Sequence, residues 1–311
     1  MHAIDRHRID RRTFVRQALA GTSLLLAGPL VAQEQEVAPR EKLLPSATDR
    51  VPLGKSGLVV PRLALGTGTN GWQKQSNQTR LGKEAFARLV AHGVDSGAAF
   101  LDVADLYGTH DFVKHALRTV PIPRDRVTIL TKIWFAEAPG MTPATSAKPE
   151  VERFCKEMGV EMLDICLIHC VQDPEWPVQL EKIRDDLSEL KEKGVARAVG
   201  CSCHTHAALK VAAEHPWVDV ILARINHLHK AMDGDATNEE VAATLRKARA
   251  AGKGVIGMKI FGCGALKTPE ERQASLDFSL RNGLVDTMTI GFLSAAEIDD
   301  AMNGIGRALR A

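Results

Sequence analysis

Eight times between residues 62 and 309, a short aliphatic or β-branched run is followed by a stretch with amphipathic helical periodicity. The runs fall at 62–66, 98–103, 127–132, 163–169, 196–202, 218–225, 254–261 and 286–291. The helical stretches fall at 83–94, 111–118, 148–158, 178–193, 205–214, 239–251, 269–281 and 295–309. A strand covered on both faces reads as an unbroken apolar run, so this alternation predicts parallel strands joined by crossover helices. Eight such units in about 260 residues suit a closed (β/α)8 TIM barrel, whose usual length is about 250 residues. An open doubly wound sheet would need a glycine fingerprint that opens directly into a helix. Gly66, Gly68 and Gly71 have the spacing, but no helical pattern starts there. Ahead of the first barrel strand, residues 51–61 form two short runs around Lys55, Ser56 and Gly57. They predict a β-hairpin that plugs the barrel's amino-terminal mouth.

The amino-terminal segment reads differently. Arg11 and Arg12, followed by Phe14 and Val15, precede an Ala/Leu/Gly-rich stretch from Ala18 to Ala32 that is short for a membrane span. Residues 1–32 resemble a twin-arginine export signal, which implies the Tat export machinery as a partner and a periplasmic or cell-envelope location. Leu30, Val31 and Ala32 match a cleavage site loosely, so membrane attachment depends on whether the segment is removed. Residues 33–48 are polar with two prolines and read as a linker, leaving 49–311 for the barrel.

Charge and composition narrow the function. The net charge is +2, but five arginines against two aspartates in residues 1–32 leave the body near −1. A near-neutral body lacks the positive field that nucleic acid or an anionic membrane surface requires. Aromatic residues make up 5% of the chain, with one tyrosine, which disfavours stacking on nucleic-acid bases. The six cysteines show no CxxC spacing, so neither a disulfide framework nor a zinc site is read, and no metal is expected.

Reactive groups in such a barrel sit at the carboxyl ends of strands and in the loops after them. Four stand out there: Asp102, Tyr107, Lys132 and His169. Alternation puts Phe100 and Asp102 on one face, and Ile165, Leu167 and His169 on one face. The set describes proton delivery to a polarised carbonyl. Tyr107 would donate, an adjacent Lys132 ammonium would lower its pKa, Asp102 would hold Lys132, and His169 would bond the carbonyl oxygen. A hydride source is then required, and it implies a nicotinamide.

The stretch FLDVADLYG (100–108) is similar to F-D-T-A-x-x-Y-G of the aldo-keto reductases. LTK (130–132), LDICLIH (163–169) and GCS (200–202) match further passages of that family. The resemblance spans about residues 49–305. It implies metal-free, reversible hydride transfer between NADP(H) or NAD(H) and a small carbonyl or alcohol substrate, with Asp102, Tyr107, Lys132 and His169 as the tetrad. It also implies nicotinamide contacts from Gly66, Thr67 and Ser202.

Elsewhere the chain departs from that pattern. Cys203 and His204 stand where Asn-Phe is usual, and Leu222 where a glutamine is common. Met258 and Lys259 replace the tyrosine and serine of A-Y-S-P, and Met258 can still pack on a flat ring. Near the adenosine end Ser294 and Glu297 are expected contacts. With no arginine or lysine beside them, a carboxylate at Glu297 favours NADH at least as much as NADPH. A non-catalytic nucleotide-binding or redox-sensing barrel and a metal-assisted hydrolase are the rival readings. The loop 135–146 and the stretch after Asn226 are expected to wall the substrate site.

Overall fold

The computed structural model describes residues 44–139 and 141–310. The export-signal reading of residues 1–32, and residues 33–43 of the linker, lie outside them. Within the described residues, Ala47 already lies against the core.

Strands β1 (Arg50–Pro52) and β2 (Val59–Pro61) pair antiparallel as the expected hairpin. Leu53, Leu58 and Val60 from this unit point into the same interior cluster as Ala64, Phe100 and Leu130, so the hairpin seals the barrel floor with apolar side chains. Eight parallel strands then close the barrel: β3 (Leu63–Gly66), β4 (Phe100–Asp102), β5 (Thr128–Ile133), β6 (Leu163–Val171), β7 (Ala196–Cys203), β8 (Val220–Arg224), β9 (Gly254–Met258) and β10 (Thr287–Gly291). β10 pairs with both β9 and β3, which leaves no free edge. Alternation along each strand divides the core in two. Ile165 and Leu167 face the barrel axis, whereas Cys166 and Ile168 pack beneath the helices.

The outer layer comprises α1 (Lys83–Asp95), α2 (His110–Thr119), α3 (Ala147–Met158), α4 (Trp176–Gln179), α5 (Glu181–Glu192), α6 (His206–Glu214), α7 (Asn238–Ala250), α8 (Pro269–Arg281) and α9 (Ala295–Arg310). Capping boxes, Thr237 with Glu240 and Thr268 with Glu271, fix the starts of α7 and α8 and stabilise each by about 1 kcal/mol. Three aspartates tie the barrel's lower rim together. Asp164, Asp219 and Asp286 accept backbone N–H bonds from Ile129, Val199 and Val255 of the preceding strands, at 2.9, 3.0 and 2.8 Å.

Beyond trims of a residue or two at element ends, three departures from the sequence reading change the course of the chain. The helix expected at 178–193 is two helices, because Leu180 leaves helical geometry and the short α4 turns Trp176 into the core beside Trp217. β6 runs past His169, with an irregularity in its pairing at Cys170, whose φ is +58°. β9 stops at Met258 because Lys259 adopts a left-handed backbone at φ +60° and turns the chain out of the sheet.

Candidate active site

Lys132 ends the inward-facing side of β5 and is fully buried. A buried ammonium costs several kcal/mol unless it is paired and hydrogen-bonded. Here the pairing is complete: Nζ donates to Asp102 Oδ1 and, at 2.9 Å, to the Val103 carbonyl. Thr289 on β10 donates to the second Asp102 oxygen at 2.8 Å, so the carboxylate is bonded from both sides.

Tyr107 hangs over this pair. A 3₁₀ turn (Asp105–Tyr107) carries it, closed by Gly108 at φ +69°, where a Cβ would overlap the Lys74 carbonyl. The phenol ring packs on Gly68. A Cβ there would overlap it, and one at Gly71 would come within 2.6 Å. The glycines that fail as a dinucleotide fingerprint therefore serve to admit the tyrosine. Tyr107 OH lies 3.5 Å from Lys132 Nζ and 3.3 Å from His169 Nε2, and the ammonium sits 4.8 Å from the ring centroid.

Electrostatics correct one expectation. The Tyr107 pKa is raised well above 10, first by burial and then by the Asp102 carboxylate, not lowered by Lys132. Burial of the phenol and the nearby Asp102 carboxylate outweigh the pull of the ammonium toward phenolate. The phenol stays protonated, the state a proton donor needs. His169 is held neutral, its pKa pushed well below 6.5 by burial and then by the Lys132 charge. Its Nδ1 is buried without a partner among the described residues.

From this corner a cleft of about 500 Å³ runs along the top of the barrel to α8 and α9. Of the expected cofactor contacts, Gly66, Met258, Lys259 and Glu297 line it, together with Asp102 and Tyr107. Ser202 faces the barrel interior with Ala198, and its hydroxyl is buried with no partner. Ser202 is not part of the cleft lining, and neither are two further expected contacts. Thr67 uses its hydroxyl on the Asp102 carbonyl and Thr109, at 2.9 and 3.1 Å, which makes it part of the scaffold beneath the tetrad. Ser294 is exposed at the start of α9, its hydroxyl accepting from the Glu297 N–H at 3.3 Å. The Glu297 carboxylate in turn accepts from the Leu293 N–H at 2.7 Å. Arg272 of α8 and Arg307 of α9 line the same end of the cleft. The absence of a base was read from residues near 297 alone, and these helices supply two from elsewhere.

The aldo/keto reductase family model matches residues 62–304. The chain belongs to the aldo/keto reductase family. Among its relatives, a glycerol 2-dehydrogenase (NADP(+)) of Saccharomyces cerevisiae is 27% identical over 46% of this chain and 40% of its own length. A methylglyoxal reductase of Yersinia pestis is 28% identical over 48% of this chain and 47% of its own. The chain thus spans about half the length of the curated relatives it matches. An aldo-keto reductase from Bacillus halodurans in its holo form shares the fold with a TM-score of 0.65 at 18% identity, over 84% of this chain and 95% of that one.

In this aldo/keto reductase, sequence reasoning missed several residues at the site. Thr289 was hidden because a threonine in a buried strand carries no signal of its own. Trp134 stands edge-on to His169 with ring centroids 5.6 Å apart, and Trp72 stands edge-on to Trp134 at 5.7 Å. Two of the chain's four tryptophans thus stand in a row beside His169. The position of Trp134, two residues after Lys132 at a strand end, was the available signal.

Proposed function

We propose that the protein is a nicotinamide-dependent oxidoreductase that interconverts aldehydes or ketones and alcohols. The observation that carries this reading is the meeting of a protonated Tyr107, a buried Lys132–Asp102 pair and a neutral His169 at one end of a long cleft. The cleft suits a dinucleotide: the orphaned Ser202 hydroxyl is buried on the strand beside Leu222 of the cleft wall, and Arg272 and Arg307 stand at the far end. A reduced nicotinamide nucleotide bound here supplies the hydride.

The chain's own residues do the rest. His169 donates a hydrogen bond to the carbonyl oxygen and orients it, and Tyr107 delivers its proton to that oxygen as the carbon is reduced. Lys132 stabilises the phenolate left on Tyr107, and Asp102 with Thr289 keeps Lys132 in place. Met258, Lys259 and Gly66 of the cleft wall would hold the nicotinamide half of the nucleotide. Arginine forks match phosphate geometry, and Glu297 is already occupied by a backbone N–H. NADPH is therefore bound at least as well as NADH, the reverse of the lean read from Glu297 alone.

The test is nucleotide oxidation by the purified protein with a panel of aldehydes, using NADPH and NADH in parallel. Aldehyde-dependent oxidation of either is expected. Nucleotide binding without oxidation for every aldehyde would favour the non-catalytic reading.

Residues 1–32 are proposed to direct export through the twin-arginine route to the bacterial cell envelope, with the nucleotide carried inside the folded barrel. Replacing Arg11 and Arg12 by lysine should leave the protein in the cytoplasmic fraction; unchanged fractionation would remove this reading.

A further inference from the structure

Arg224 ends β8 on the inner side of the barrel. Val220 and Leu222 of this strand belong to the interior cluster, so alternation turns Arg224 inward at the catalytic mouth, beside its register partner Met258 in the cleft wall. Its side chain is 11% exposed. A guanidinium this deep needs an anion. Among the described residues the carboxylate it has is Asp233, from the loop between β8 and α7, which is 41% exposed. Nη1 also donates to the Ala231 carbonyl at 3.2 Å and Nη2 to His204 Nδ1 at 2.6 Å, while the buried Nε has no partner.

His204 links this arginine to the tetrad. Because its Nδ1 accepts from the guanidinium, Nε2 carries the ring proton and donates to Cys170 Sγ at 3.2 Å, and Cys170 directly follows His169. Burial and the Arg224 charge hold His204 neutral, its pKa brought down to about 3. Positive charge at the mouth is therefore in excess. Asp102 answers Lys132, and Lys259 has the Cys263 thiol at 2.7 Å but no carboxylate partner among the described residues. A loop carboxylate half open to water is all that answers Arg224.

We propose that Arg224 is a substrate-recognition residue, and that the preferred carbonyl substrate carries a carboxylate that takes the guanidinium over from Asp233. This rests on the reductase reading above. A planar guanidinium matches a carboxylate bidentately, and exchanging one carboxylate for another preserves the charge balance. Asp233 gives up little, since a half-exposed carboxylate regains water on release. A neutral carbonyl compound leaves the ion pair in place and gains nothing from it.

Steady-state kinetics with 4-oxobutanoate, its methyl ester and butanal test this without any variant. The acid is expected to exceed its own ester in kcat/KM by roughly 30-fold, the scale of a charge-assisted hydrogen bond. In Arg224→Gln the acid-to-ester ratio should fall toward one, and in Asp233→Asn the KM for the acid should drop several-fold. Succinate has no aldehyde to reduce. It should bind the wild-type protein in calorimetry with nucleotide present, and bind Arg224→Gln at least tenfold more weakly. Equal kcat/KM for acid and ester, or equal succinate binding by both proteins, would overturn the proposal and leave Arg224–Asp233 as a loop latch. If none of the three aldehydes is turned over, the reductase reading fails, and succinate binding alone then decides the role of Arg224.

Discussion

Replacing Lys132 with methionine keeps the volume of a fully buried side chain but removes the cation that answers Asp102. The carboxylate, 6% exposed, is left with the Thr289 hydroxyl. Removing one member of a buried ion pair costs about 3–5 kcal/mol, because the other charge stays buried and uncompensated. For a domain of this size 1 kcal/mol moves the melting temperature by about 2–4 °C, so Lys132→Met should melt roughly 6–20 °C lower. Asp102→Asn alone strands the ammonium in the same way, whereas the Asp102→Asn/Lys132→Met double variant strands neither charge. The double variant should recover most of the loss, with a coupling energy of at least about 2 kcal/mol. Urea unfolding of the wild type, both single variants and the double variant gives the cycle. Single losses under about 1 kcal/mol that simply add would refute the burial and pairing on which the site's chemistry rests.

Other expectations follow from neighbouring contacts. Gly68→Ala places a methyl group against the Tyr107 ring and should destabilise by about 1–3 kcal/mol and lower kcat, measured by melting and turnover together. Arg153 holds Asp105, two residues before Tyr107, at 2.9 Å while also binding Glu157. Arg153→Ala should therefore reduce kcat about tenfold, as a slackened proton donor would, while nucleotide affinity holds. His204 is neutral in the fold and takes up a proton in the unfolded chain below pH 6.5. Its depressed pKa therefore contributes stability above pH 6.5 that is lost as pH falls toward about 3. Urea midpoints at pH 7 and 5.5 should show the decline, at up to about 1.4 kcal/mol per pH unit for this group, and His204→Asn should flatten it.

The fold was legible because strand burial and helix amphipathicity are written locally. Eight alternations of apolar run and amphipathic stretch leave few closures other than a barrel, and Leu53, Leu58 and Val60 read as a plug even before their partners are known. The convergence of Asp102 and His169 was legible for a similar reason, since both lie at strand ends whose parity directs them to the inner face. What escaped depends on contacts across the chain. Thr289 meets Asp102 from 187 residues away. Arg272 and Arg307 reach the cleft from two helices, with nothing in the local sequence around Glu297 to announce them. The direction of the Tyr107 shift was not legible, because proximity of an ammonium can be read from a sequence and the burial of the phenol beside a carboxylate cannot. Thr67 and Ser294 spend their hydroxyls on local partners, as a hydroxyl at a strand end or helix start readily does.

Proton delivery by Tyr107 is the step on which the proposed reaction turns. Tyr107→Phe removes a single oxygen from a ring packed on Gly68, so the fold and the nucleotide cleft should persist. The decisive measurement is kcat for aldehyde reduction beside the nucleotide dissociation constant, on one preparation of this variant. If Tyr107 is the donor, kcat falls by about 10²–10⁴-fold while nucleotide affinity changes by less than about threefold. Turnover at the wild-type rate would contradict it.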